Sequence, residues 1–265
     1  MNLLRIVNSM SAQTILFLNQ KGGVGKTTSA VNLGAALAGQ GKKVLLIDLD
    51  AQGNLTSATS IDGRQPGIYE VIAGQLPAEE AVQQTPVKNL YAIPSNINMA
   101  GLNIELVEEE EREFFIKRAL SSLEESWEYI LADCPPSLGL VTVNAMAWAK
   151  KVIIPMQCEY LAMEGLSLLT RTVGNMKKSI NPDLEVLGIL FTMYSKRTNL
   201  AKEVVEDVSS FFPQLVFKTM IPRNIRLAEA PSHGLPITAY DGSSSGAKAY
   251  KALAKEVTKR VARNQ

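Results

Sequence analysis

Cysteine, histidine and long apolar runs are nearly missing from this 265-residue chain, and each shortage closes off a class of function. Two cysteines, Cys134 and Cys158, are too few for a disulfide framework. Two copies of the chain would together supply the four thiols of an iron–sulfur cluster. However, Cys134 directly follows a strand-end Asp and Cys158 closes another strand, and both positions read as buried thiols. The one histidine, His233, sits in a Pro-Ser-His-Gly turn with no partner in sequence, which gives no basis for His-centred catalysis. No stretch approaches 18 uninterrupted apolar residues, so a membrane-spanning helix is excluded. The leader, residues 1–13, is too short for a secretory core, and a cytoplasmic location is expected. An excess of charge of either sign is also lacking, with 27 Lys and Arg against 26 Asp and Glu.

What is present is enough apolar content, 46%, to bury one sizeable core, and a single domain over 1–265 is expected. Residues 1–13 then form a leader, with Met10 as an alternative start. Charge is unevenly placed along the chain. Residues 191–265 carry 12 basic against 6 acidic side chains, whereas residues 1–190 carry 15 against 20. Such asymmetry hints at a polyanion-binding face. The acidic run Glu108–Glu111 reads as a solvated helix face, and Trp127 and Trp148 as packing residues.

Short apolar runs alternate with amphipathic stretches along the chain. The runs at 14–18, 43–47, 90–93, 129–132, 152–155 and 186–191 read as strands buried on both faces of a parallel sheet. The stretches at 27–39, 138–150, 161–178 and 200–211 read as crossover helices. The expected fold is α/β, a doubly wound, mostly parallel sheet flanked by helices, with ligands bound beyond the carboxyl ends of the strands.

The segment Lys21-Gly22-Gly23-Val24-Gly25-Lys26-Thr27-Thr28 joins the first strand to the first helix, the context a phosphate-binding loop requires. Its glycines let the backbone wrap a polyphosphate with N–H groups turned inward, and the helix start adds a favourable dipole. Lys26 is placed to reach β- and γ-phosphates, and the Thr27 hydroxyl to ligate Mg²⁺. A chance match of this many residue types is on the order of 10⁻⁹ to 10⁻⁸ per window, so a ligand-free Gly turn is a poor alternative. After the second strand, Asp48-Leu49-Asp50 sets two carboxylates at spacing two beside this loop. The run Ile130-Leu131-Ala132-Asp133 ends a further strand in an Asp, the Walker B form, followed by Pro135-Pro136.

The loop departs from the standard Walker A pattern, with Gln20 at the first glycine position and an extra lysine, Lys21, at the leading edge. This deviant form resembles the ParA/MinD superfamily. The segments 152–166 and 221–232 are similar to short chromosomal ParA/Soj proteins, so the resemblance covers nearly the whole chain. It implies an ATP hydrolase, weakly active and stimulated by a partner, with ATP and Mg²⁺ as cofactors. By the resemblance Lys21 crosses a homodimer interface to the partner's nucleotide, Asp50 positions the attacking water, and Asp48 and Asp133 support the Mg²⁺ shell. It also sets Thr192, Met193, Pro222 and Asn224 near the base, which is what points to adenine.

The same resemblance implies partitioning of chromosomes or plasmids with a ParB/Spo0J-type protein, non-specific binding of double-stranded DNA and a nucleoid-associated location. Lys196, Arg197, Arg226 and Lys248 are the DNA-contact candidates. Family arginines after Tyr240-Asp241 are replaced here by Gly242-Ser243-Ser244-Ser245-Gly246, which shifts weight toward Lys248, Lys251 and Lys259. About a dozen residues before the first strand leave no room for a helix-turn-helix, so operator-specific binding is not expected. The rival reading is a MinD-like membrane-associated positioning ATPase, its lipid contact the apolar stripe Leu253, Val257 and Val261 between lysines. A last helix packed on the sheet is the blander account of that stripe, so no stable membrane association is expected.

Overall fold

The computed structural model describes residues 11–160 and 162–263. Among them a seven-stranded sheet runs in the order β3-β4-β2-β5-β1-β6-β7. The strands are β1 (Gln13–Phe17), β2 (Val44–Asp48), β3 (Gln83–Gln84), β4 (Leu90–Ile93), β5 (Tyr129–Asp133), β6 (Lys151–Gln157) and β7 (Glu185–Thr192). All pairings are parallel except β3 against β4. The six apolar runs foreseen from sequence are strands within a residue or two. The missing one, β3, is a two-residue, all-Gln edge strand with no apolar signal to read. Strand β1 begins at Gln13, inside the expected leader. Residues 1–10, Met10 included, lie outside the described residues.

Helices cover both faces of the sheet. On one side lie α1 (Lys26–Ala38), α2 (Asn54–Ala58), α9 (Ile225–Glu229), α10 (Ile237–Tyr240) and α11 (Ser245–Arg263). On the other lie α3 (Ile68–Ile72), α4 (Leu102–Glu105), α5 (Phe115–Leu120), α6 (Leu140–Trp148), α7 (Ala162–Ser179) and α8 (Asn199–Phe211). Helix α1 is small-residue-rich because it crosses the sheet closely: a Cβ on Gly34 would come within 2.7 Å of Leu46 Cδ2. Helix α11 buries Tyr250, Leu253, Val257 and Val261 against the sheet, each worth about 1.5–3 kcal/mol relative to exposure. The stripe that a membrane reading would turn to lipid is therefore core.

Two further expectations change. The acidic run 108–111 lies in irregular turns after α4, not on a helix face. The Ser-rich segment 242–246 builds the start of α11. Asp241 Oδ1 accepts from the Ser243 and Ser244 amides, and Ser244 Oγ accepts from Ala247 N–H. The helix thus begins eight residues before Leu253, the first residue of its apolar stripe.

The parallel register brings the ends of β2, β5 and β1 level. Asp48 sits opposite Asp133 across β2–β5, and Phe17 opposite Asp133 across β1–β5. The loops that leave these three strands share one end of the sheet, where the order of connection switches sides at β1.

Candidate functional site

The loop between β1 and α1 turns through Gly23 (φ 73°) and Gly25 (φ 86°), left-handed positions where a Cβ is strained. It is stitched to neighbouring strands from outside. Thr192 Oγ1 at the end of β7 donates to Val24 O (2.7 Å), Gln157 Nε2 at the end of β6 donates to Gly23 O (2.8 Å), and Asn19 Nδ2 donates to Pro155 O (2.7 Å). These supports hold the loop mainly by its carbonyls; the Lys21 amide is the exception and donates to Asn19 Oδ1 at 2.9 Å. Asn19 and Gln157 were not singled out from sequence, because their partners lie more than a hundred residues away.

Lys26 is 7% exposed at the head of α1, its ammonium near Lys21 O at 3.4 Å. Burial lowers its pKa, while Asp133, Cys134 and Asp50 nearby favour the charged form. Thr27 Oγ1 donates to Asp133 Oδ2. The other oxygen, Asp133 Oδ1, is buried and makes no hydrogen bond. Desolvation first, and then neighbouring Asp48, push the Asp133 pKa well above the carboxylate range. An uncompensated buried carboxylate is costly, and a hard cation that takes hydroxyl and carboxylate oxygens suits this pair. The residues present therefore fit Mg²⁺ beside a polyphosphate.

Asp48 and Asp50 part company. Asp48 is fully buried: Oδ2 accepts from Thr56 N–H (2.9 Å) and Thr56 Oγ1 (2.8 Å), and Oδ1 from Asp50 N–H (3.2 Å). Burial raises its pKa to about 6 against these hydrogen bonds. Its carboxylate is committed to holding the turn, behind the cleft wall. Asp50 lies on that wall and accepts from Gln52 N–H at 3.1 Å.

A cleft of about 600 Å³ runs from Gly22–Thr28 past Asp50, Asn54 and Pro136 to Met193, Pro231, Ser232 and Leu235. Of the expected base-side residues, Met193 lines its far end, with a left-handed backbone (φ 50°) that is uncommon for a side-chain-bearing residue. Pro222 lines a neighbouring groove instead, and Asn224 caps α9, accepting from Arg226 N–H at 2.8 Å. Residues 231–235 were missed. They are held over the cleft because Asn32 Oδ1 accepts from Ile237 N–H at 2.6 Å, a link across 205 positions.

Lys21 does not line its own cleft. Its ammonium pairs with Glu159, the two side chains being 59% and 45% exposed. Such a pair is worth roughly 0–1 kcal/mol, so a stronger anion can redirect the lysine. His233 stacks on Tyr240 (4.8 Å between centroids).

The DNA-contact candidates are all exposed, but not equivalent. Arg226 is tied to Glu229 (2.8 Å) and lies 3.8 Å from Asp241. Lys196, Arg197 and Lys248 have no ion-pair partner among the described residues. Lys196 and Arg197 share a groove of about 800 Å³ with Lys218 and Arg223, two cations not proposed from sequence because their segments meet only in the fold. No helix among the described residues is long and apolar enough to cross a membrane.

The model of the AAA_31 family, an AAA domain, matches residues 12–186. The chain is 50% identical over 248 residues to chromosome-partitioning ATPase Soj of Treponema pallidum, covering 94% of this chain and 98% of that protein. It is 50% identical to sporulation initiation inhibitor protein Soj of Bacillus subtilis over 92% of this chain and 97% of the relative. Among solved structures, the cobyrinic acid a,c-diamide synthase of Mycobacterium smegmatis with bound ATP analog and magnesium superposes with a TM-score of 0.83. It is 35% identical over 96% of this chain and 97% of that one.

Proposed function

The chain belongs to the Soj/ParA family of chromosome-partitioning ATPases, and from that premise we propose a DNA-gripping ATPase whose ATP-bound form is a homodimer. It binds and hydrolyses ATP with magnesium. The loop amides and Lys26 bind the triphosphate, Thr27 and Asp133 hold the cation, and Asp50 orients the attacking water at the cleft wall. Magnesium, when bound, neutralises charge on the β- and γ-phosphate oxygens. Asp48 keeps Asp50 in place through its amide contact. Met193 and the 231–235 segment close the base side; Pro222 and Asn224 support it from behind.

One observation carries the dimer: Lys21 projects from the loop away from its own cleft, held only by an exposed pair with Glu159. A second chain apposed cleft to cleft gives that ammonium a polyphosphate to meet, and adds positive charge where phosphoryl transfer spreads negative charge. Arginines acting this way are worth ~10³–10⁵ in rate; a lysine, lacking the planar fork, gives less. The slow basal rate then waits on a ParB/Spo0J-type partner, with the protein cytoplasmic and nucleoid-associated.

Dimerisation couples ATP to DNA by arithmetic. A protomer that neutralises ~3 phosphates loses affinity with a salt slope of about −0.9 per contact and grips poorly at physiological salt. Two joined protomers double the contacts at high effective concentration. Retention of plasmid DNA on the immobilised protein, with Mg-ATP and without nucleotide, tests the reading. Retention at least tenfold greater with Mg-ATP is expected; equal retention in both states would refute the coupling.

A further inference from the structure

We infer that the DNA track of this protein extends down the flank of the molecule, along a basic trough walled by α11, and does not end at the loops beside the cleft. The inference rests on the DNA-binding reading above and gives it a location. Two grooves adjoin along α11. The upper one, near the cleft end of the sheet, is bordered by Ser245 and Ala249, and the lower, of about 860 Å³, by Ala252, Lys255 and Lys259. Lys218 lines both, so they form one channel. It descends to Glu185 at the amino end of β7, the opposite end of the sheet from the cleft.

The charges along this channel are sorted. Lys255, Lys259 and Arg263 recur at near-helical spacing on the exposed side of α11, opposite buried Leu253, Val257 and Val261. Among the described residues, neither these three nor Lys218 forms an ion pair. The two acids on the walls are occupied. Glu185 pairs with Lys151. Glu256 accepts from the Lys218 and Thr219 amides (2.8 and 3.0 Å) and from Arg260 (3.1 Å). Arg260 itself is occupied with backbone: it donates to Leu187 O, Leu215 O and Val216 O and lies over the Phe217 ring at 4.1 Å. It ties α11 to β7 and to the 215–217 segment. What faces solvent is thus a row of cations without compensating carboxylates.

Geometry favours duplex DNA as the occupant. The 19 residues of α11 rise about 28 Å, the length of roughly eight base pairs, a span over which a duplex presents a phosphate every ~1.7 Å of axis. Grooves walled by lysine and arginine, with no exposed aromatic or apolar belt along α11, suit a hydrated phosphate backbone better than a lipid surface.

Fluorescence anisotropy with a random-sequence 30-base-pair duplex in Mg-ATP, over a salt series, tests this. The triple variant Lys255→Glu/Lys259→Glu/Arg263→Glu is compared with a reversal of equal charge on α7, Arg171→Glu/Lys177→Glu/Lys178→Glu. The expected result is at least tenfold weaker binding by the α11 variant, with the salt slope reduced by about 0.9 for each lost contact. The α7 variant should keep the wild-type slope, and Lys255→Arg/Lys259→Arg should restore binding. Equal losses in both triple variants, or wild-type affinity and slope in the α11 variant, would overturn the trough while leaving DNA binding intact. An α11 variant that loses only phosphatidylglycerol vesicles would do the same. Failure of the wild type to bind the duplex at all would instead bring down the function proposed above, and this inference with it.

Discussion

At the scale of single residues, Asp48 and Asp133 show how neighbours in one register take different work. They face each other across β2–β5, and two buried carboxylates side by side cannot both ionise cheaply. Asp48 is satisfied by Thr56 and the Asp50 amide, whereas Asp133 keeps one oxygen unpaired beside Thr27. One is a brace, and the other is the residue proposed above to hold the cation. The Asp48 pKa of about 6 lies above the ~3.9 of an unfolded aspartate, so the native state binds this proton more tightly. Its contribution to stability is whole below pH ~4 and lost as pH rises through 6, a swing of roughly 3 kcal/mol at 1.36 kcal/mol per pKa unit. Denaturant unfolding of the nucleotide-free protein from pH 4 to 7 should show Asp48→Asn lacking that decline. Parallel curves for variant and wild type would contradict a buried, proton-holding Asp48. Both aspartates could be picked out from sequence as strand-end acids; their division of labour could not, because it depends on Thr56 and on the alignment of two strands.

At the scale of elements, β7 and α11 are the pair on which the flank depends. Gly188 in β7 leaves room for the side chains that join them: a Cβ there would stand 2.4 Å from Phe217 Cε2 and 2.8 Å from Arg260 Nη1. Gly188→Ala should cost about 1–3 kcal/mol through overpacking and lower Tm by roughly 3–10 °C. A thermal melt unchanged from wild type would show that the edge yields more easily than the packing indicates. Elements of this kind were legible where periodicity or apolar runs marked them, as in β6, β7 and the apolar stripe of α11. The start of α11 was not, since its cap is a Ser-rich turn held by Asp241, and Ser-rich composition alone reads as loop. Strand β3 was invisible for the same reason, two glutamines whose pairing is decided by β4.

At the scale of the whole molecule, the phosphate loop and its two flanking carboxylate motifs were readable because each is a local run with its own chemistry. What closes the site was not. Gln157 and Thr192 brace the loop from β6 and β7, Asn32 tethers the 231–237 segment, and Lys218 joins two grooves. Each is an ordinary polar residue until folding supplies a partner from the far end of the chain. The molecule puts the cleft at one end of the sheet and, among the described residues, a row of cations without ion pairs along a flank, which keeps the proposed dimer contact apart from the proposed trough.

The dimer is therefore the claim to test first. Multi-angle light scattering on the Asp50→Ala variant, saturated with Mg-ATP so that hydrolysis cannot dissolve the complex, measures it directly. The predicted mass is twice the 28.8 kDa of one chain. A species of one-chain mass at saturation would contradict it.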